Sequence, residues 1–538
     1  MEPPGSSPSV VAASTSAPLL PDELRILYTG GDGHLYLAEG DGVRTSRLTW
    51  SEEDFATIPG MPFMPGVLGE LEDGYVFAHP SPSPDGRRVA VFGLLPTSEE
   101  DFIMMEEELV EEEDEDEAWA DVDEALEELT DSLWDEEEEG AERADDVAGP
   151  GVVFAFVTED GEQIVDGDLE DIVDLSAAEM QIGEEPPEEL DEDEVEDPDE
   201  VELPLYWPGG KVYVVHGDGV QVWEAWETDG GSPTHLEWSP DGQSLLVLHQ
   251  EDERLHLLLV DAEASGVALR LTSGVPIFWD WQPGGRQLAV RVTDPETGVS
   301  LVQLIDTTAT LAPRTLAEAG SFYAPAWRPD GSALAYAIEG AREDRLVLMA
   351  PDGTDEEILM TYPGRAAFSW DRGGRHLAVA ICPGGEGAFE AIELLDLSGD
   401  GSRTLFHGTF VAFRWLPDDS GLLVCQAAAD EDSMHWVVVG LDGSVRPVGT
   451  PFLPSREAAV GLHFFEQLSG SHPFLSEDGR FVVFTGHPIG EYIEAGPGRD
   501  PMLGILESEE EDTPAILVAP LDGGPTVLVG HGRFACFG

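Results

Sequence analysis

The strongest constraint on this chain is a turn that keeps returning. An aromatic or apolar residue leads into Ser-Pro-Asp-Gly, or a degenerate form of it, and a short apolar run follows. The copies are anchored at Pro82 (SPDG, then RRVAVFG), Trp238 (SPDG, then QSLLVLH), Trp281 (WQPGGRQLAV), Trp327 (WRPDGSALAY), Trp370 (WDRGGRHLAV), Trp415 (WLPDDSGLLV) and Leu475 (LSEDGRFVVF). Successive anchors lie 156, 43, 46, 43, 45 and 60 residues apart. A step near 44 residues is the length of a four-stranded propeller blade. Within the motif, Pro presets its φ, Asp accepts a hydrogen bond from the backbone two residues on, and Gly supplies a positive φ. The run that follows, with Leu288 and Val290 in RQLAV, predicts a half-buried second strand.

The rest of each unit is legible too. A third strand ends in another Asp-Gly-type turn, as in HLYLAEGDG (34–42), RLVLMAPDG (345–353) and AILVAPLDGG (515–524). A fourth resembles SRLTW (46–50) or EEILMT (356–361). One such unit cannot bury both faces of its sheet, so it needs neighbours stacked beside it. The ordinary role of the repeat Trp and Asp residues is therefore packing and turn formation.

With these segments, the chain resembles the TolB-like, PD40 (WD-like) β-propeller repeat family over roughly 20–95 and 205–538. The resemblance implies an all-β propeller of four-stranded blades. Such propellers serve as protein-interaction scaffolds, and similar blades form the gating domain of prolyl-oligopeptidase-like enzymes, so fold leaves function open. The C-terminal GRFACFG (532–538) has the form of a first strand, and ELRILYTG, HLYLAEGDG and TSRLTW supply a second, third and fourth. A closing blade shared between the N- and C-termini would bring the count to eight, with seven as the alternative. The expected organisation is a disordered tail over 1–20, a single propeller over 21–538, and an acidic insertion over 98–205 between strands two and three of an early blade.

That insertion holds much of the charge. The chain has 111 Asp and Glu against 25 Lys and Arg, a formal net charge of −86. Residues 99–202 carry 49 of the acidic residues and one basic residue, Arg143, leaving a net −38 on the other 434. Phosphate contacts need clustered Arg and Lys, so this balance argues against direct nucleic-acid binding. No apolar run is long enough to predict membrane insertion. The N-terminus has neither a positive start nor a sustained apolar core, so no secretory signal is expected. Three widely spaced cysteines (Cys382, Cys425, Cys536) fit a reducing, cytoplasmic setting.

The insertion is patterned rather than uniform. Phe102, Met105 and Leu109, and then Trp119, Val122, Leu126, Leu129 and Leu133, recur at helical spacing. VVFAFVTEDGEQIV (152–165) reads as a strand and turn that competes with KVYVVHGDG (211–219) for the third-strand position, and 184–200 reads as disordered linker. The acidic runs and aromatic anchors make Glu111, Glu112, Glu113, Asp114, Trp119, Trp134, Glu136 and Glu137 candidate partner-binding residues for a protein with a basic surface. A second insertion (487–514) and the inter-blade stretches 51–74 and 449–472 are expected to emerge on the same propeller face, opposite the Ser-Pro-Asp-Gly turns.

No catalytic signature accompanies the repeats. G-x-S-x-G, H-E-x-x-H, C-x-x-C and phosphate-binding glycine loops are missing from the sequence. His235, His249 and His256 lie on or beside strands of one blade and read as structural. The expectation is thus a non-catalytic interaction scaffold with no cofactor, metal or catalytic residue assigned. The alternatives are a propeller enzyme or small-ligand binder with a site in the central channel, and a structural subunit of a larger assembly.

Overall fold

The computed structural model describes residues 20–49, 75–97, 156–157, 163–164, 205–206, 209–490, 492–494 and 513–538, apart from short gaps. The chain divides into two compact units, one of Met1–Leu94, Pro150–Glu179 and Pro208–Gly538, the other of Leu95–Gly149 and Met180–Trp207. In the second unit, the described strands Pro96–Thr97 and Leu205–Tyr206 pair antiparallel. The tail 1–19, the stretch 51–74 and the eight candidate partner-binding residues lie outside the described residues.

The first unit is all-β in its repeats and built from four-stranded antiparallel sheets, the architecture of a β-propeller. Sheet B comprises Val76–Pro82, Arg88–Leu94, Gly210–His216 and Val222–Thr228. Its third strand is therefore the KVYVVH segment, which pairs Lys211 with Gly93 and Val215 with Val89. Phe156–Val157 instead pairs with Gln163–Ile164. Sheet C is Ser232–Trp238, Ser244–Glu251, Arg254–Asp261 and Ala268–Gly274. Sheet D is Ile277–Trp281, Gln287–Thr293, Ser300–Asp306 and Arg314–Glu318, and sheet E is Ala326–Trp327, Leu334–Ile338, Asp344–Met349 and Glu357–Tyr362.

The remaining strands form one hydrogen-bonded path in which three long strands each serve two neighbouring segments. Segment F is Arg365–Trp370, His376–Cys382, Phe389–Asp396 and the start of Gly401–Trp415, whose end opens segment G with Gly421–Ala427, Met434–Gly440 and Val445–Pro454. In segment H, Leu475 bridges to Val482 of Phe481–Pro488, which pairs with Ala515–Pro520 and then the start of Val527–Phe537. The end of Val527–Phe537 pairs with Arg25–Gly30, Ile26 opposite Phe537, and Leu35–Glu39 and Arg44–Arg47 complete segment A.

Apolar side chains join each sheet to the next. Leu27 and Leu37 of A share a core with Phe77 and Val91 of B, and Phe92 and Val214 of B with Leu236 and Val247 of C. Leu257 of C meets Trp279 and Val290 of D. Val302, Tyr336 and Phe368 tie D, E and F together, and Ile392, Phe413 and Leu517 tie F, G and H. Val483 and Val518 of H share a core with Ile26 and Tyr28 of A. Because every sheet is covered on both sides, the second strands are not half-buried as their alternation predicts. Residues 288–292 of Gln287–Thr293 are all buried, while the outermost strands keep exposed Leu269, Ile358 and Val445.

The repeated turn does what its residues dictate. Gly242 adopts φ +68°, and its N–H donates to the Ser239 carbonyl at 2.8 Å. Asp241 Oδ1 accepts from the Ser239 hydroxyl at 2.7 Å and from the Gln243 N–H at 3.0 Å. The Ser83–Asp85 and Ser476–Asp478 turns repeat this pattern. These bonds hold the exposed Asp85 carboxyl below its ordinary range.

Candidate functional site

The innermost strand of each sheet has one open edge, whose backbone donors need partners when buried. The structure supplies many of them from a segment that the sequence pattern assigned to a face loop. Residues 449–472 finish a strand and then form two helices, α1 (Arg456–His463) and α2 (Phe465–Ser471). Ser455 caps α1 by accepting from the Ala458 N–H at 3.2 Å, and Glu457 lies in its first turn, where the helix dipole favours negative charge. Instead of emerging on a face, the pair packs inward on the first strands, because its side chains carry the acceptors and apolar rings those strands lack.

The contacts run from sheet to sheet. Gln467 Oε1 accepts from the Trp279 N–H at 2.7 Å, and Glu466 Oε1 from the Phe368 N–H at 3.1 Å. Ser81 Oγ donates to the Ser471 carbonyl at 3.0 Å. The Tyr323 hydroxyl and His463 Nε2 lie 3.0 Å apart. Phe465 lies against Phe389 and Phe413, with ring centroids 6.2 and 5.1 Å away, and Phe464 lies against Phe278 and Tyr323. Sheets B, D, F and G, and Tyr323 on the segment leading into sheet E, thus all touch one helical plug.

Ionisable groups around the plug are driven towards their neutral forms. Burial pushes the carboxyls of Glu466 and Glu237 up to about 8 and that of Asp280 up to about 7. Arg365 and Arg291 partly offset the rise at Glu466. Burial takes His79 and His463 down to about 4 and His472 to about 3, and also holds His235 well below its ordinary value. The rings of His79 and His235 lie 6.0 and 5.6 Å from that of His472. His235 therefore belongs to this inner group, while His249 and His256 remain together 6.3 Å apart in sheet C. Among the described residues, no group of three or more His, Cys, Asp or Glu side chains is arranged to hold a metal ion.

Sequence reading found the anchor residues but missed the plug and the residues that meet it. A signal was present: Ser455 precedes the helix-forming run REAAVGL, a recognisable helix start. The sheet contacts of that run, and the convergence of His79, His235 and His472 across 393 residues of chain, have no local signature.

The repeated sheets and their shared cores define the class of protein as a β-propeller. No protein-family model matches the sequence, and no curated protein matches it. Solved structures to which it is similar include TolB from Acinetobacter baumannii, at 15% identity over 44% of this chain and 59% of that one, with a TM-score of 0.33. Oligogalacturonate lyase in complex with manganese is 16% identical over 59% of this chain and 85% of that one, with a TM-score of 0.38. Dihydro-heme d1 dehydrogenase NirN in complex with DHE is 12% identical over 99% of this chain and 78% of that one, with a TM-score of 0.42. The chain spans about three fifths of the length of the TolB that it matches.

Proposed function

We propose that this chain is an eight-bladed β-propeller, closed by a blade shared between its two ends, that works as a non-catalytic protein-interaction scaffold. In this reading its cytoplasmic partner presents a basic surface to the acidic segment 98–205. The observation that carries it is the α1–α2 plug, which ties up inner-strand donors that an open substrate channel would expose. Eight blades are supported by counting segments A to H, and closure by the pairing of Ile26 with Phe537 and the core shared by H and A. The partner's chemistry follows from charge, since a net −48 between residues 99 and 202 creates a field that attracts cations and speeds their encounter.

The test is co-purification from native lysate with the full chain and with a variant lacking 98–204, each washed across a salt gradient. The scaffold reading expects a protein partner that is lost with the deletion and released by moderate salt, because screening shortens the reach of the field. A partner held equally by both chains and indifferent to salt would overturn the acidic-arm mechanism. Turnover by the full chain on a panel of lyase and hydrolase substrates would overturn the non-catalytic reading.

A further inference from the structure

Aligning the repeats on their anchors places a charged residue immediately before the Trp in three of them: Glu237, Asp280 and Arg414. Two of these charges have partners in the next sheet. Glu237 Oε2 accepts from the Trp279 indole at 2.6 Å, and Asp280 Oδ2 from the Trp327 N–H at 2.6 Å. Arg414 is different. Its partly buried guanidinium has no hydrogen bond, ion pair or aromatic face among the described residues, in a chain that carries 111 acidic residues.

Arg414 lines a cavity of about 1040 Å³ that opens among the Ser-Pro-Asp-Gly turns. That face lies opposite the one to which sequence reasoning assigned the insertions. Trp370, Trp415, Leu416, Leu475 and Phe481 contribute apolar wall. Carboxylates also line the cavity: Glu23, Asp85, Glu477 and Asp478, alongside Arg25 and Arg372. Arg25 Nη1 donates to the Gly86 carbonyl at 3.2 Å, and Asp85 and Asp478 accept from the serines of their own turns. With the carboxylates outnumbering the guanidinium groups in the lining, a multiply charged anion would meet repulsion that a single carboxylate largely escapes.

We propose that this cavity binds a carboxylate attached to an apolar body, with the Arg414 guanidinium as its anchor. Burying a cation without a partner is costly, and a planar guanidinium matches a carboxylate through two parallel hydrogen bonds. Desolvation alone, with no neighbouring carboxylate to offset it, holds Arg414 down at about 10. The neighbouring tryptophans and leucines supply the apolar contact expected of a pocket in which a few polar groups fix orientation. The carboxylate could belong to a free small acid or to the C-terminus of a peptide; the chemistry at Arg414 is the same. The inference does not depend on the acidic-arm scaffold.

Isothermal titration of the full chain tests it with N-acetylphenylalanine, a hexapeptide ending in phenylalanine, the C-terminal amide of each, and inorganic phosphate. At least one acid should bind saturably, its amide about tenfold or more weaker, and phosphate should not compete. Binding of the free acid identifies a small-molecule site, and binding of the hexapeptide alone identifies a chain terminus. Arg414→Gln should lose the preference for acid over amide, and Arg414→Lys should keep part of it. Because Arg414 has no partner to lose, Arg414→Gln should melt no lower than the parent chain. Failure of both acids to bind, equal binding of acid and amide, preference for phosphate, unchanged binding by Arg414→Gln, or its marked destabilisation would each overturn the proposal.

Discussion

The indole Nε1–H of Trp415 donates to the carbonyl of Ser369, 2.9 Å away on the first strand of the preceding segment. Trp370 does the same to Ala326 at 3.1 Å, and Trp238 to Ser81 at 2.9 Å. The anchor of the repeat is therefore a staple between neighbouring sheets as well as an apolar filler. Trp281 is the internal control, since its indole nitrogen is buried without a partner. Replacing Trp415 by Phe removes one hydrogen bond, while the Ser369 carbonyl keeps its place opposite Ala378 in the strand ladder, and should cost about 0.5–1.5 kcal/mol beyond the lost ring contacts. Replacing Trp281 by Phe loses ring contacts alone. Urea midpoints should separate the two variants by roughly 1 kcal/mol; equal midpoints would mean that the indole bond adds nothing net.

The turns make a second contrast. Asp241→Ala removes the acceptor for the Ser239 hydroxyl and the Gln243 N–H, which should cost about 1–2 kcal/mol. Gly242→Val puts a β-branched side chain at φ +68° and should cost at least as much from backbone strain alone. Asp419 occupies the equivalent place in the Trp415 repeat at φ +57°, where a short polar side chain is tolerated. Gly242→Asp should accordingly be milder than Gly242→Val. Thermal melting of the three variants checks the order, and a Val variant as stable as the Asp variant would discount the strain.

Stability should fall as pH rises from 6.5 to 8. The folded carboxyls of Glu466 and Glu237, near 8, and Asp280, near 7, lie above their ordinary values. Their contribution is complete below those ordinary values and is lost as pH rises through the folded ones. The buried histidines act the other way. His79 and His463, near 4, and His472, near 3, contribute fully above 6.5 and lose that contribution as pH falls towards the folded values. The two sets oppose each other between 4.5 and 6.5, so the carboxyls act alone above 6.5. Glu466→Gln keeps an acceptor for the Phe368 N–H while removing one titration. Its melting temperature should match the parent below pH 4.5 and exceed it by a growing margin as pH rises to 8; a parallel pair of curves would place the titration elsewhere.

These comparisons also show what a linear sequence conveys. The turn, the anchor and the strand that follows are local. Their signals survive because Gly242 and Asp241 act on atoms within five residues. The third strand of sheet B was open between two segments until pairing with Arg88–Leu94 selected Gly210–His216. Strand alternation misled at Gln287–Thr293 because cover on the second face comes from another repeat. Nothing near Trp279 or Phe368 announces that their N–H groups face Gln467 and Glu466, 188 and 98 residues away. Arg414 was visible as a charge before an anchor, but its lack of a partner is a property of three dimensions.

The acidic segment offers a stability test separate from partner capture. Its flanks already form a ladder, Pro96 opposite Tyr206 and Thr97 opposite Leu205, so an Asn-Gly turn in place of 98–204 has the geometry of a two-residue hairpin. The sheet it interrupts is held by its own pairs, including Lys211 with Gly93, and by ion pairs from Lys211 to Glu224 and Glu227 at 3.2 and 3.4 Å. The shortened chain should therefore retain the main cooperative melt. Residues 99–202 account for a net −48 of the formal −86, and their mutual repulsion weakens as salt shortens the screening length to about 8 Å at physiological ionic strength. Added sodium chloride should raise the melting temperature of the full chain more than that of the shortened one. Equal salt responses would assign the repulsion to the propeller's own −38, and loss of the cooperative melt would make the segment part of the fold.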